Sequence, residues 1–160
     1  MPRFTDSKVR DPFRNFNFHI LIGGVEVAAC KKMSKISSAV EVVKFRAGND
    51  ASSAPELLPG RVSYDPVTLE AGLTNDASFK DWAKTLHVNG FTGTSRKREP
   101  DFRKEVEIQV FDLDSKTKVK SFKLHNAWVS KYQAVSDLSG DANEVIIETI
   151  EIQHEGFTEE

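Results

Sequence analysis

Apolar and polar positions alternate with period two along most of this chain. Phe16, Phe18, Ile20 and Ile22 alternate with Asn15, Asn17 and His19, which predicts a strand with one buried face. Gly23-Gly24 follows, where a tight hairpin would turn into Val25. A second β-like run covers residues 40–45, with Val43 and Phe45 on either side of Lys44. Val67, Thr68 and Leu69 form a short strand, and Val106, Ile108 and Val110 alternate with Glu105, Glu107 and Gln109. The turn Asp114-Ser115-Lys116 leads to Phe122 and Leu124, then Trp128 and Tyr132, and a last run spans residues 145–152.

The period breaks once. Phe79, Trp82, Ala83 and Leu86 stand at i, i+3, i+4 and i+7, one apolar stripe of a short helix at about residues 75–87. Asn75 or Thr74 is placed to cap it, and Asp76 suits the positive end of its dipole. Residues 46–60 show no period and hold Gly48, Asn49-Asp50, Pro55 and Pro59-Gly60, which predicts a long loop. Loops of this length in a compact domain are usually functional or disordered and rarely idle. Residues 1–14 read as an arm. The sum is a mainly β domain of about seven strands, two packed antiparallel sheets in a sandwich or barrel-like arrangement, with one flanking helix. Phe16, Phe18, Phe79, Trp82 and Trp128 are its expected core packing residues.

Composition narrows the function more by exclusion. The 160 residues fit one domain, with 39% hydrophobic and 29% charged positions, an ordinary globular balance. A net charge of −2 supplies no global field for nucleic acid or anionic lipid. Cys30 is the sole cysteine, which excludes an intrachain disulfide and a multi-cysteine metal site. No apolar run nears the ~20 residues that cross a bilayer, and the polar first fourteen residues do not read as a secretory signal. The expectation is synthesis in the cytoplasm.

Catalytic patterns are equally scarce. His19, His87, His125 and His154 are never at metal-ligand spacing from one another, and no nucleophile elbow or phosphate-binding glycine loop occurs. The carboxylates Glu105, Glu107, Glu148 and Glu151 fall in strand patterns, where alternation makes them a wet face. No enzyme, cofactor or metal is expected. The sharpest charge cluster is Arg96-Lys97-Arg98 with Arg103-Lys104, but it lacks interleaved aromatics and is followed by Glu99 and Asp101. A solvated or salt-bridging loop is the reading adopted.

The order of several short pieces carries a resemblance. These are Asp11-Pro12-Phe13-Arg14-Asn15-Phe16 opening a strand, Glu41-Val42-Val43-Lys44-Phe45-Arg46-Ala47-Gly48, Leu58-Pro59-Gly60, and Phe79-x-x-Trp82. Asn126-Ala127-Trp128, Asn143-Glu144-Val145, Glu148-Thr149-Ile150-Glu151 and His154-Glu155-Gly156 complete it. From about Pro12 to Gly156 the chain resembles the tail tube (inner tube) proteins of contractile phage tails and extracellular contractile injection systems. One departure stands out: residues 88–104 look longer and more basic than the family pattern.

The resemblance implies hexameric rings whose strands form one continuous barrel around a channel. The rings stack into a tube inside a contractile sheath, with baseplate hub or spike and tube-terminating proteins as further partners and effector cargo in the lumen. Arg46, Gly48, Asn49, Asp50, Pro55, Pro59 and Gly60 are then expected to form the loop that reaches a neighbouring subunit or ring. A monomeric β-barrel that binds a small apolar ligand is the rival reading.

Overall fold

The computed structural model describes residues 17–27, 30–49, 51, 53–87, 102–112, 116–141 and 143–160. Phe16, Asp50, the arm over residues 1–14 and the basic run Arg96-Lys97-Arg98 lie outside the described residues.

Among the described residues ten strands and one helix follow in the order β1 (Phe18–Ile22), β2 (Val25–Glu26), β3 (Cys30–Met33), β4 (Ser38–Phe45), β5 (Glu56–Tyr64), β6 (Val67–Gly72), α1 (Ser78–His87), β7 (Lys104–Phe111), β8 (Lys118–Gln133), β9 (Ile147–Gln153) and β10 (Phe157–Glu159). Eight strands form one antiparallel path, β2-β1-β7-β8-β9-β6-β3, with β10 added to β8, while β4 and β5 pair only with each other. The path folds over on itself and is not closed into a barrel. Its first layer is β2, β1, β7, β10 and the first half of β8. Its second layer is the rest of β8 with β9, β6 and β3. Ile20, Val106, Ile108 and Leu124 of the first layer meet Leu69, Val129, Ile150 and Ile152 of the second in one core.

Local chemistry explains the turns. Gly23 and Gly24 take φ of 58° and 85°, the left-handed pair that a two-residue hairpin needs, and Ile22 pairs with Val25 across it. Helix α1 begins later than its pattern suggests. Asp76, not Asn75 or Thr74, caps it, accepting from the Ser78 N–H at 3.0 Å, while the Thr74 hydroxyl accepts from Asp76 N–H at 3.1 Å. Phe79, Trp82 and Ala83 are buried as the stripe requires, and the Trp82 indole N–H donates to the Phe102 carbonyl at 2.9 Å.

The sixteen-residue β8 joins the layers, and it corrects the expected core. Phe122 and Leu124 point inward, so strict alternation would also send position 128 inward. Asn126 instead has φ 51°, and the register with β7 slips there by one residue. The bulge reverses parity: Ala127 and Val129 are buried and Trp128 faces out, half-buried opposite Gln153. A second slip between Val129 and Lys131 returns Tyr132 to the core side. Phe18 packs against the core from its rim.

The predicted loop over residues 46–60 is also shorter than expected. Glu56 to Gly60 belong to β5, so only residues 46–55 connect the strands. Pro59 and Gly60 are breakers by composition, yet here they sit at a bulge between Val40 and Val42, on a strand with one neighbour only. Pro59 lies opposite Val42. A Cβ on Gly60 would stand 3.0 Å from the Glu41 carbonyl oxygen, so glycine is what lets the two backbones approach.

Candidate functional site

The hairpin β4–β5 is the most unusual surface of the molecule. Every residue of β4 is exposed, and no residue of either strand belongs to the core. Register and alternation place Val40, Val42, Lys44, Leu57 and Pro59 on one face and Glu41, Val43, Phe45 and Leu58 on the other. Both faces are therefore apolar, a pattern that strands show when they are covered on both sides. Leu57 is 63% exposed, Val42 60% and Phe45 53%.

The base of the hairpin is fixed to the body. The Asp65 N–H donates to Ser37 O at 3.2 Å and the Ser37 hydroxyl donates to the Asp65 carboxylate at 2.5 Å. His154, buried, lies 3.1 Å from the Asp65 carbonyl through Nε2 and 3.2 Å from the Gly156 carbonyl through Nδ1. Tyr64 packs its ring against His154 at 5.6 Å and against Phe157 at 6.3 Å. The projecting strands thus leave the body from a rigid root.

A second exposed apolar surface follows β8. The described residues of 134–146 carry no regular element, and among them Leu138 is 70% and Val145 71% exposed. Asp137, Leu138, Gly140, Glu144, Val145 and Ile146 border a cleft of about 340 Å³. The sequence pattern had joined Val145 and Ile146 to the last strand, but β9 starts at Ile147, with its N–H donated to the Ser136 hydroxyl at 3.1 Å.

Outside the core, the outer face of the first layer is charged. Glu107 accepts from Gln109 at 2.9 Å and lies 3.8 Å from Lys118, and Lys123 pairs with Glu160 at 2.9 Å. Arg103, at one end of the basic cluster, pairs with Glu155 at 3.0 Å. In the second layer Glu151 accepts from the Ser130 hydroxyl at 2.9 Å.

Of the residues expected to form a contact loop, Arg46, Gly48, Asn49 and Pro55 lie in the connection at the hairpin tip, while Pro59 and Gly60 lie in β5. The pattern missed that the strands on both sides carry the exposed apolar residues. A signal was present: Val40, Val42, Val43, Leu57, Leu58 and Val62 form near-continuous apolar runs around the turn.

Burial pushes the Cys30 thiol up to about 11, so it stays protonated at neutral pH, and it points at the Glu70 carbonyl 3.6 Å away. Among the described residues no three His, Cys, Asp or Glu side chains are grouped to hold a metal. No helix there is long and apolar enough to cross a membrane.

One part-buried pair has a pH signature. The Tyr132 hydroxyl donates to Glu148 Oε1 at 2.8 Å, and burial, then the carboxylate, pushes the phenol up to about 12. An unfolded tyrosine titrates near 10. The folded state therefore keeps its proton where the unfolded chain releases it, so this contribution is complete below about pH 10 and fades toward 12. At pH 7, Tyr132→Phe leaves the buried Glu148 without its donor, an expected cost of about 1–3 kcal/mol. Chemical denaturation of both proteins across pH checks this: their stability difference should narrow between about pH 10 and 12.

Comparison with known proteins agrees with this geometry. The fold is shared with a chain of the anti-feeding prophage baseplate (20% identity, 93% of this chain and 95% of that one, TM-score 0.71). It is shared with a chain of the anti-feeding prophage tube-terminating cap (17% identity, 99% of each chain, TM-score 0.77). A chain of the sheath–tube complex of an extracellular contractile injection system, PVC, in its extended state also has it (14% identity, 95% and 93% coverage, TM-score 0.75). No curated protein sequence matches. Residues 14–158 match the family model described as T4-like virus tail tube protein gp19, which spans nearly the whole chain, two-faced hairpin included, so the protein belongs to the T4-like virus tail tube family.

Proposed function

We propose that this chain is the repeating subunit of the inner tube of a contractile injection system or phage tail. Six copies form a ring around a channel, and rings stack into a tube. A surrounding sheath contracts and drives the tube through a target envelope, delivering cargo. The observation that carries this reading is the β4–β5 hairpin, apolar on both faces and held at its root, among the described residues, by His154 against Asp65 and Tyr64. A monomer gains nothing from exposing such a surface, whereas a neighbour covering both faces would bury it.

The open path supports the same reading. Among the described residues its terminal strands β2 and β3 have one partner strand each, and a heterologous contact that closes converts edges into a ring. The charged outer face carrying Glu105, Glu107, Gln109 and Lys123 is suited to a wet channel wall. Sheath, baseplate and tube-terminating proteins are the partners such a tube requires.

Negative-stain electron microscopy beside sedimentation velocity tests the proposal. Six-fold rings or hollow tubes are expected, with mass rising with concentration. A strict monomer at every concentration, with and without a preformed baseplate to nucleate stacking, overturns it.

A further inference from the structure

Twelve of the large hydrophobic side chains exposed among the described residues fall into two groups. Seven belong to the hairpin: Val40, Val42, Val43, Phe45, Leu57, Leu58 and Val62. Of the other five, Leu138, Val145 and Ile146 line the cleft, Leu73 is hydrogen-bonded to Ile146, and Val135 stands two positions before Asp137 in the chain. The first surface projects and the second is concave.

Topology places the two surfaces at opposite ends of one strand. The hairpin enters β6 at its first residue, Val67, through Asp65 and Pro66. The cleft adjoins the last residue, Gly72, through Leu73, whose N–H donates to the Ile146 carbonyl at 2.8 Å. Six residues of strand separate them, about 20 Å. A copy displaced along β6 would bring its hairpin toward the cleft of the next.

Charge agrees with the shapes. Residues 134–146 hold Asp137, Asp141 and Glu144 and no lysine or arginine. The hairpin face with Val40, Val42 and Leu57 bears Lys44 as its charged strand residue before the turn, with Arg46 just beyond. An apolar face bearing Lys44 thus meets an apolar cleft rimmed with carboxylates.

We infer that the cleft at residues 134–146 receives the β4–β5 hairpin of a second copy of this chain, a head-to-tail contact that repeats along the tube. This rests on the tube reading above and adds the receiving surface to it. Because the contact is heterologous and displaced along the strand, it does not close, and it propagates as a stack.

The test uses two full-length variants, each with one surface spoiled. Val42→Glu with Leu57→Glu disables the hairpin, and Leu138→Lys with Val145→Glu disables the cleft. All four side chains are exposed, and unchanged circular dichroism and melting temperature verify that both variants fold. Alone, neither variant is expected to stack. Mixed in equal amounts, they retain one intact hairpin and one intact cleft between them, and two-layer complexes of finite size are expected by sedimentation velocity. If the cleft variant stacks like the wild type, the hairpin docks elsewhere and the inference is overturned. If the mixture stays unassociated, it is overturned as well, while wild-type tubes in the parallel sample leave the tube reading intact. A wild type that never associates removes both.

Discussion

Val42→Glu combined with Leu57→Glu is expected to abolish tube formation while leaving the subunit folded. Both side chains lie on one hairpin face, in facing strands, and neither touches the core. In a monomer, polar replacements there cost little, because surface substitutions away from special features usually stay within ~0.5 kcal/mol. In an assembly that covers this face, each replacement removes about 1.5–3 kcal/mol of apolar burial and adds a carboxylate with no partner. A loss of only about 4 kcal/mol per contact already weakens association about a thousandfold. Sedimentation velocity over a wide concentration range should show rings or subunits without tubes, at an unchanged melting temperature. Tubes of normal length from this variant would remove the hairpin from the assembly.

The opposite behaviour is expected of Trp82→Ala. Trp82 is 1% exposed, sits between α1 and the sheet with Phe79 and Ala83, and donates its indole N–H to Phe102 O at 2.9 Å. Truncation leaves a large cavity and an unpaired carbonyl at once. Aromatic-to-alanine changes in cores cost about 3–5 kcal/mol, and in a domain of this size each kcal/mol shifts the melting temperature by about 2–4 °C. A drop of about 10 °C or more by calorimetry is expected. Trp82→Phe separates the two contributions, since it retains most of the packing and loses the hydrogen bond, and its cost should fall well below that of alanine. Equal costs for the two variants would mean that packing contributes nothing, contrary to the burial of this ring.

These two variants divide the molecule into a part whose role is internal and a part whose role lies between copies. Apolar residues in the body, such as Ile20, Leu69 and Ile150, are fully buried by their own chain. The hairpin carries residues of the same kind that stay 40–63% exposed. A folding code that buries apolar surface is satisfied twice, once within the subunit and once, in the proposed tube, by its neighbours.

The sequence by itself determined what local physics controls. Alternation gave the strand over Phe18, Ile20 and Ile22, Gly23-Gly24 gave a two-residue hairpin, and the stripe Phe79, Trp82, Ala83 gave the helix, because each depends on residues a few positions apart. The order of turn and packing residues was enough to place the chain in its family. Tertiary structure alone decided the rest. Trp128 faces outward because the bulge at Asn126 reverses the parity of β8, which a second bulge beyond Val129 restores for Tyr132, and a bulge answers to the partner strand, not to the local pattern. Pro59 and Gly60 are strand residues because β5 has one neighbour and passes close to Glu41, which no composition rule registers. The cleft at residues 134–146 and its position across β6 from the hairpin exist only once β6 and β9 are paired, since Leu73 and Ile146 lie far apart in the chain and meet through that pairing.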